Sequence, residues 1–309
     1  MSPLLLLTMA AALAGLVPAR LVRARWVYRA PRLGVLAWLA TARTVFIGVL
    51  LAGLTALLHW DATHDLVCLT WRVCLDALTG VHGPPAQAGA LVGLVLVNGL
   101  LLRLGLARAR VWRTTVCQRR RHAAMLRVIG GPSRGEATVI AHPQPAAYLL
   151  PGRHARVVVT EGALALLADD ELDAVLAHER AHAAGHHHRL LDAASVLHQA
   201  FPPLAIFRQA HRQVARLVEL CADDAATRVH SRLALARALV AMAAPTQPVG
   251  LLHANGGDAT ERVGRLLEPP LPLPRPVSLA ATVGLWALPL VPVVIALLGR
   301  LVPVSALSM

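Results

Sequence analysis

Four long apolar runs limit what this chain can fold into. They cover residues 3–17, 33–58, 88–107 and 277–299. The second contains Arg43, the third contains Arg103, and the fourth carries no charge at all. A helix that crosses a bilayer needs about 20 mostly apolar residues. The runs therefore predict four membrane spans. The first is the shortest, and its arginines follow the apolar core instead of preceding it, the reverse of a cleaved signal segment. It is expected to stay as a span.

Composition fits that reading. Of 309 residues, 56% are hydrophobic, yet only 15% are charged, against about 25% in ordinary soluble domains. The chain is too apolar for disorder, and four cysteines are too few for a disulfide scaffold. There is no lysine, so all 30 strong cations are arginines, and the formal net charge is +13. Much of that surplus flanks the runs. Arg20, Arg23, Arg25, Arg29 and Arg32 lie between the first two, and Arg108, Arg110, Arg113, Arg119, Arg120 and Arg121 follow the third. The loop between the second and third carries Asp61, Asp65 and Asp76 with a single Arg72. Short arginine-rich loops stay in the cytoplasm. The Asp-bearing loop and both termini are then expected outside the cell membrane. The basic charge is a topology signal, and no direct nucleic-acid binding is expected. Arg43 reads as facing the bundle interior or snorkelling to the interface, and Asn98 as glue between helices. Cys68 and Cys74 fall in the oxidising outside loop, where they have the opportunity to pair, whereas Cys117 and Cys221 are expected as free thiols.

These features divide the chain into three spans over 1–107, a cytoplasmic domain over 108–275, and a fourth span with a short tail over 276–309. The domain is of ordinary single-domain size. Pro and Gly punctuate three short β pieces, at 137–141, 146–150 and 157–160. Helical patterns follow at about 172–185, 190–200, 207–229, 231–243 and 258–267. The Pro-rich EPPLPLPRP at 268–276 reads as a linker into the fourth span. The fold class is thus an α-helical multi-pass membrane protein of four spans with an inserted, mainly α, α+β domain.

Within the first long helix of that domain stands His178-Glu179-Arg180-Ala181-His182. On this composition H-E-x-x-H arises by chance in roughly 0.02 chains of this length. Residues four apart share a helix face, so two imidazoles reach one Zn²⁺. The intervening glutamate is rotated away from ligation and sits beside the ion's open position, where it accepts a proton from water. A hydrolytic site needs a third protein ligand. Glu219, in the stretch VELCADDAA, offers a carboxylate, and Asp223 lies one turn later on the same face. Asp223 is suited to accept a hydrogen bond from the far nitrogen of a ligating histidine. Arg228 and His230 follow that helix as candidates for an oxyanion partner, with a surface role the simpler reading for the arginine. His186, His187 and His188 extend the His178/His182 face, but Gly185 weakens the helix there, so a solvated helix end is expected.

HERAH followed by ELCAD resembles the gluzincin-type integral membrane peptidases, which pair H-E-x-x-H with a downstream E-x-x-A-D. Two branches share that pair: the HtpX and prenyl-protein peptidases, and the BlaR/MecR β-lactam-sensing receptors. The stretch from Ala141 to His182, and the order of three spans, domain and fourth span, are more similar to the BlaR/MecR branch. The resemblance implies a zincin-like (minigluzincin) domain and one Zn²⁺ on His178, His182 and Glu219. It further implies Glu179 as catalytic base, Asp223 behind the ligands, and zinc endopeptidase activity. A large extracellular sensor follows the fourth span in those receptors. Only about ten residues follow Gly299 here, so β-lactam binding does not carry over. The BlaR-like branch implies a cytoplasmic transcriptional repressor as substrate, and the HtpX-like branch implies membrane or misfolded proteins. A third reading is a membrane receptor or scaffold with a structural zinc, against which an intact Glu179 argues. An extended peptide substrate is expected to add to a sheet edge, either 157–160 or the strand of Tyr148.

Overall fold

The structure is a computed structural model that describes residues 3–58, 84–134, 137–150, 156–243 and 252–301. Asp61, Asp65, Asp76, Cys68 and Cys74 lie outside the described residues. Helices dominate. The chain opens with α1 (Pro3–Arg23), α2 (Arg25–Arg29), α3 (Pro31–Leu58) and α4 (Pro84–Ile129). Four short strands follow: β1 (Gly130–Arg134), β2 (Ala137–Ile140), β3 (Ala147–Leu150) and β4 (Arg156–Thr160). Then come α5 (Glu161–Leu166), α6 (Asp169–Ala184), α7 (His187–Ala200), α8 (Ala205–Ala226), α9 (Arg232–Ala243) and α10 (Leu252–Leu267). The chain ends in α11 (Arg275–Ala287), a 3₁₀ turn, and α12 (Val291–Leu301). Among the described residues, four stretches are helical, long and apolar enough to cross a membrane: Pro3–Arg23, Pro31–Leu57, Gly89–Gln118 and Arg275–Leu298.

α4 is continuous from the third apolar run through the arginine cluster and ends only at the sheet. Arginine is a strong helix former, so a change from apolar to charged need not end a helix. The sheet order is β1-β2-β4-β3. β2 and β4 are parallel, whereas β1 and β3 pair antiparallel to them at the two edges. β4 is therefore interior, with Val158 and Val159 almost fully buried. Of the two strands considered for substrate pairing, only β3, which carries Tyr148, is an edge. Thr160 ends β4 and caps α5: its Oγ1 accepts from Ala163 N at 3.1 Å and Ala146 N at 2.9 Å, and donates to Gln144 O at 2.9 Å.

Two cores position the site. One joins β2, β4, α5, α6 and α9 around Val157, Val159, Leu172, Val175 and Leu235. The other fuses the domain to the membrane-length helices. α8 presents Ile206, Phe207, Ala210, Val214, Leu217 and Val218 at helical spacing, all buried against Val35, Trp38, Leu39, Ala42 and Val45 of α3. That single apolar stripe is what an amphipathic helix must cover. Phe46 of α3 meets Phe201 at 5.9 Å between ring centroids, and Phe201 meets Phe207 at 5.6 Å. α10 is then fastened to α8 by charge. Arg265 donates to Asp224 at 2.5 and 2.9 Å, and Arg216 pairs with Glu261. Arg29 holds the following linker by donating to Leu271 O at 2.7 Å.

α3 and α4 pack through small residues. A Cβ on Gly93 would meet Gly53 O at 2.6 Å and Leu57 N at 2.8 Å, whereas one on Gly99 would meet nothing within 4 Å. Backbones this close tolerate no side chain. Gly93→Val should destabilise the detergent-solubilised protein by about 1–3 kcal/mol through overpacking, and Gly99→Val should leave its thermal midpoint unchanged. Equal midpoints for the two variants in a melting experiment would refute this packing.

Candidate metal centre

α6 brings His178 and His182 to one face, and α8 crosses it with Glu219. The start of α6 is set by Asp169, Asp170 and Glu171, whose charges suit the positive end of the helix dipole. Glu171 also accepts from Ala168 N at 3.2 Å, satisfying a first-turn amide. The three donor side chains meet with one ligand atom each inside a 4.8 Å group. His178 Nε2 and His182 Nε2 are 3.1 Å apart, and the Glu219 oxygens lie 3.5 and 3.4 Å from them. Two nitrogens bound to one tetrahedral zinc at ~2.05 Å would be roughly 3.3 Å apart. Donor type and spacing therefore both fit Zn²⁺. Glu179 stands beside the group and does not join it. Its Oε2 accepts from Leu149 N on edge strand β3 at 2.8 Å. Burial raises its carboxyl above the usual range, with His178 and His182 pulling the other way.

The shell behind the donors is ionic. His178 Nδ1 lies 2.9 Å from Asp223 Oδ1, and Asp223 is 1% exposed. Arg262 of α10 binds that carboxylate with both prongs, Nε to Oδ2 at 2.8 Å and Nη2 to Oδ1 at 2.7 Å. Its Nη1 reaches Glu219 Oε2 at 3.1 Å. Burial opposes charge on Asp223, but Arg262 and His178 outweigh it and hold its carboxyl below the usual range. Glu219 is likewise pushed far down by His178, His182 and Arg262 against the opposing effect of burial. Burial also disfavours a charged His178, yet Asp223 and Glu219 push its metal-free pKa up to about 9.

Arg262 carried no signal in the sequence. Its only local mark is the E-R-x-x-R spacing of α10, which looks like any charged helix face. His187 was misread. The structure buries it, while His186 stays exposed. His187 Nδ1 lies 2.9 Å from His182 Nδ1. Burial and the neighbouring His182 drive its pKa down to about 4, so its ring is neutral. With its Nδ1 as the acceptor, His182 Nδ1–H would donate to it and His182 Nε2 would turn a lone pair toward the centre. The chain turns between α6 and α7 at Gly185 and His186, the latter at φ 50°. A Cβ on Gly185 would meet His187 Nε2 at 2.3 Å, so only glycine lets that ring fold back. The solvated-end expectation failed because it assumed the helix simply continued or frayed. Arg228 is exposed in the turn after α8 and makes no ion pair among the described residues.

The profile of peptidase family M48 matches residues 113–270. That is half of the chain, and it spans both helices of the donor group together with α10. The chain belongs to peptidase family M48, a family of zinc metallopeptidases. No curated protein and no solved structure matches it.

Two predictions follow from the electrostatics. Arg262→Gln should weaken zinc binding by about 10–100-fold, as loss of groups behind metal ligands does. Arg262→Lys should recover only part, because a point charge cannot bind Asp223 bidentately. Competition against a chromophoric chelator measures both, and wild-type affinity in Arg262→Gln would refute the role. Second, His178 has a folded, metal-free pKa above its ordinary 6.5. Its proton therefore stabilises the metal-free protein fully below 6.5, and that contribution is lost as pH rises through about 9. Zinc must displace this proton, so apparent affinity should climb with pH and level off near 9. Calorimetry at pH 7 in buffers of different ionisation heat should show about one proton released from His178, and no buffer dependence would exclude it.

Proposed function

We propose that this chain is a membrane-spanning zinc endopeptidase whose active site faces the cytoplasm. His178, His182 and Glu219 hold one Zn²⁺, Glu179 is the general base, and Asp223 fixes His178. The observation that carries the reading is the side-by-side placement of a three-donor group and a buried carboxylate tied to a sheet edge. A structural zinc site has no use for that carboxylate, which speaks against a purely scaffolding role. Zinc bound there supplies a Lewis acid for the scissile carbonyl and lowers the pKa of its water. The chain's own groups do the rest. Glu179, raised in pKa by burial, takes the proton from the attacking water and delivers it to the departing amine. Leu149 N–H holds one oxygen of that carboxylate at 2.8 Å and so orients the other. An extended substrate adds to the outer edge of β3 by main-chain hydrogen bonds to groups other than Leu149 N–H, which Glu179 engages. His187 and Asp223 keep both histidine ligands in the tautomer that faces the centre.

The four membrane-length helices support a multi-pass protein of the cell membrane, and the arginine-rich loops support cytoplasmic placement of the domain with both termini outside. The layout of three spans, peptidase domain and fourth span supports a BlaR-like role, in which a cytoplasmic transcriptional repressor is cut. A second reading, HtpX-like quality control, is favoured by one feature: α8 packs directly on the membrane-length α3, which keeps the site within reach of chain segments leaving the bilayer.

Glu179→Gln tests the enzyme. It should retain a full zinc equivalent, and cleaved cytoplasmic or membrane proteins should vanish from the cellular peptide profile with at least a hundredfold loss of rate. Identical profiles for wild type and variant at equal zinc would leave a zinc-binding receptor. Cleavage confined to soluble repressors or to membrane proteins separates the two substrate readings.

A further inference from the structure

A cavity of about 530 Å³ opens behind the metal centre, between α3, the α6–α7 turn, α8 and α11. Its walls are mostly apolar, with Leu36, Leu39, Leu190 and Trp286 among them. Two arginines, Arg32 and Arg43, also line it. They are eleven residues apart on α3. That is three helical turns and about 16 Å, which puts both on one face with the leucines between them. The exposed arginine side chains have no carboxylate partner among the described residues. Arg216, Arg262 and Arg265, by contrast, each bind an acid. Two uncompensated guanidinium groups flanking an apolar cavity call for a ligand that is anionic at one place and hydrocarbon elsewhere. Guanidinium matches phosphate in geometry and charge. The cavity is bounded on one side by α3 and by the stretch Arg275–Leu298 that begins with α11, both of membrane length, so a bilayer lipid is the amphiphile at hand.

We propose that this cavity is a binding site for one anionic phospholipid, its phosphate held by Arg32 at one end, the rest of its polar headgroup or a glycerol ester oxygen reaching toward Arg43, and an acyl chain lying against Leu36, Leu39 and Trp286. The inference rests on reading α3 and the stretch Arg275–Leu298 as bilayer spans and is independent of peptidase activity. The site adjoins the metal centre through His187, which lines the cavity and touches His182. A seated lipid therefore backs the ring that orients a zinc ligand.

The test uses the full chain in neutral detergent, followed by native mass spectrometry during titration with phosphatidylglycerol, phosphatidylcholine or inorganic phosphate. One phosphatidylglycerol should bind at least tenfold more tightly than phosphatidylcholine. Arg32→Gln with Arg43→Gln should remove that preference, whereas Arg103→Gln, on another helix, should keep it. Leu36→Trp, which fills the cavity and leaves both charges in place, should also abolish binding, so the outcome does not hang on one variant's folding. Glu179→Gln should bind lipid as wild type does, which separates this site from the fate of the peptidase reading. Alkaline carbonate extraction of membranes reports integration on its own. Equal binding of the two lipids, an unchanged preference in the double variant, or phosphate binding as tightly as phosphatidylglycerol would each overturn the proposal.

Discussion

Three helices distant in sequence meet at one buried carboxylate. Asp223 of α8 takes His178 of α6 on one side and both prongs of Arg262 of α10 on the other. A carboxylate that is 1% exposed is tolerable only when fully compensated. The demand for compensation is what orders the centre. Arg262 must approach from α10, so α10 must lie across α8, and the pairs Arg265–Asp224 and Arg216–Glu261 hold it there. The remaining charge balance then defines the ligand. One arginine faces two carboxylates, Asp223 and Glu219, which leaves a negative surplus in a sheltered place. Without metal the surplus is met by a proton on His178, whose pKa rises to about 9. A divalent cation between the same donors would serve better, because it could bind Glu219 and both imidazoles at once. The proton on His178 thus fills a charge demand that a metal ion in the same donor group would also meet.

The same helix, α8, carries this network on one face and docks on α3 with the other. Its buried stripe from Ile206 to Cys221 shares a core with Val35, Trp38 and Leu39. The membrane-length helices are therefore part of the peptidase core. Interiors are packed to crystal-like density, so a displacement of α3 reaches α8 without much loss. A protein whose trigger acts at its membrane helices needs such a rigid path, and one that cuts membrane-proximal chains needs the short distance it creates.

Much of this was legible in the residues, for identifiable reasons. The apolar runs are visible because bilayer thickness sets a length, and a helix covers each of them, although α4 runs on to Ile129 and a 3₁₀ turn interrupts the fourth. H-E-x-x-H is visible because a metal needs two donors on one face of one helix, a purely local demand. The strand and helix pattern of the domain was also readable, apart from β1, α5 and the unbroken course of α4. Arg262 and His187 were hidden for the opposite reason. Each acts across elements, Arg262 from α10 onto α8 and His187 by folding back onto His182. Nothing in local spacing encodes such contacts. The order β1-β2-β4-β3 was hidden likewise, so the edge role fell to β3 and not to the more deeply buried β4.

The turn after α6 shows how a local defect can carry function. Gly185 reads as a helix weakener, and His186 takes a left-handed φ that a non-glycine residue adopts at a cost of about 1–3 kcal/mol. A smooth helix would have carried the next ring away from His182. The break instead swings His187 inward, where burial keeps it neutral and its Nδ1 faces that of His182 at 2.9 Å. A neutral acceptor suits this position better than a carboxylate would. His178 already leans on Asp223, and a second buried acid behind His182 would deepen the negative surplus that Arg262 only partly offsets. The strained turn therefore orients His182 without adding charge to a donor group whose charge balance already suits one divalent ion.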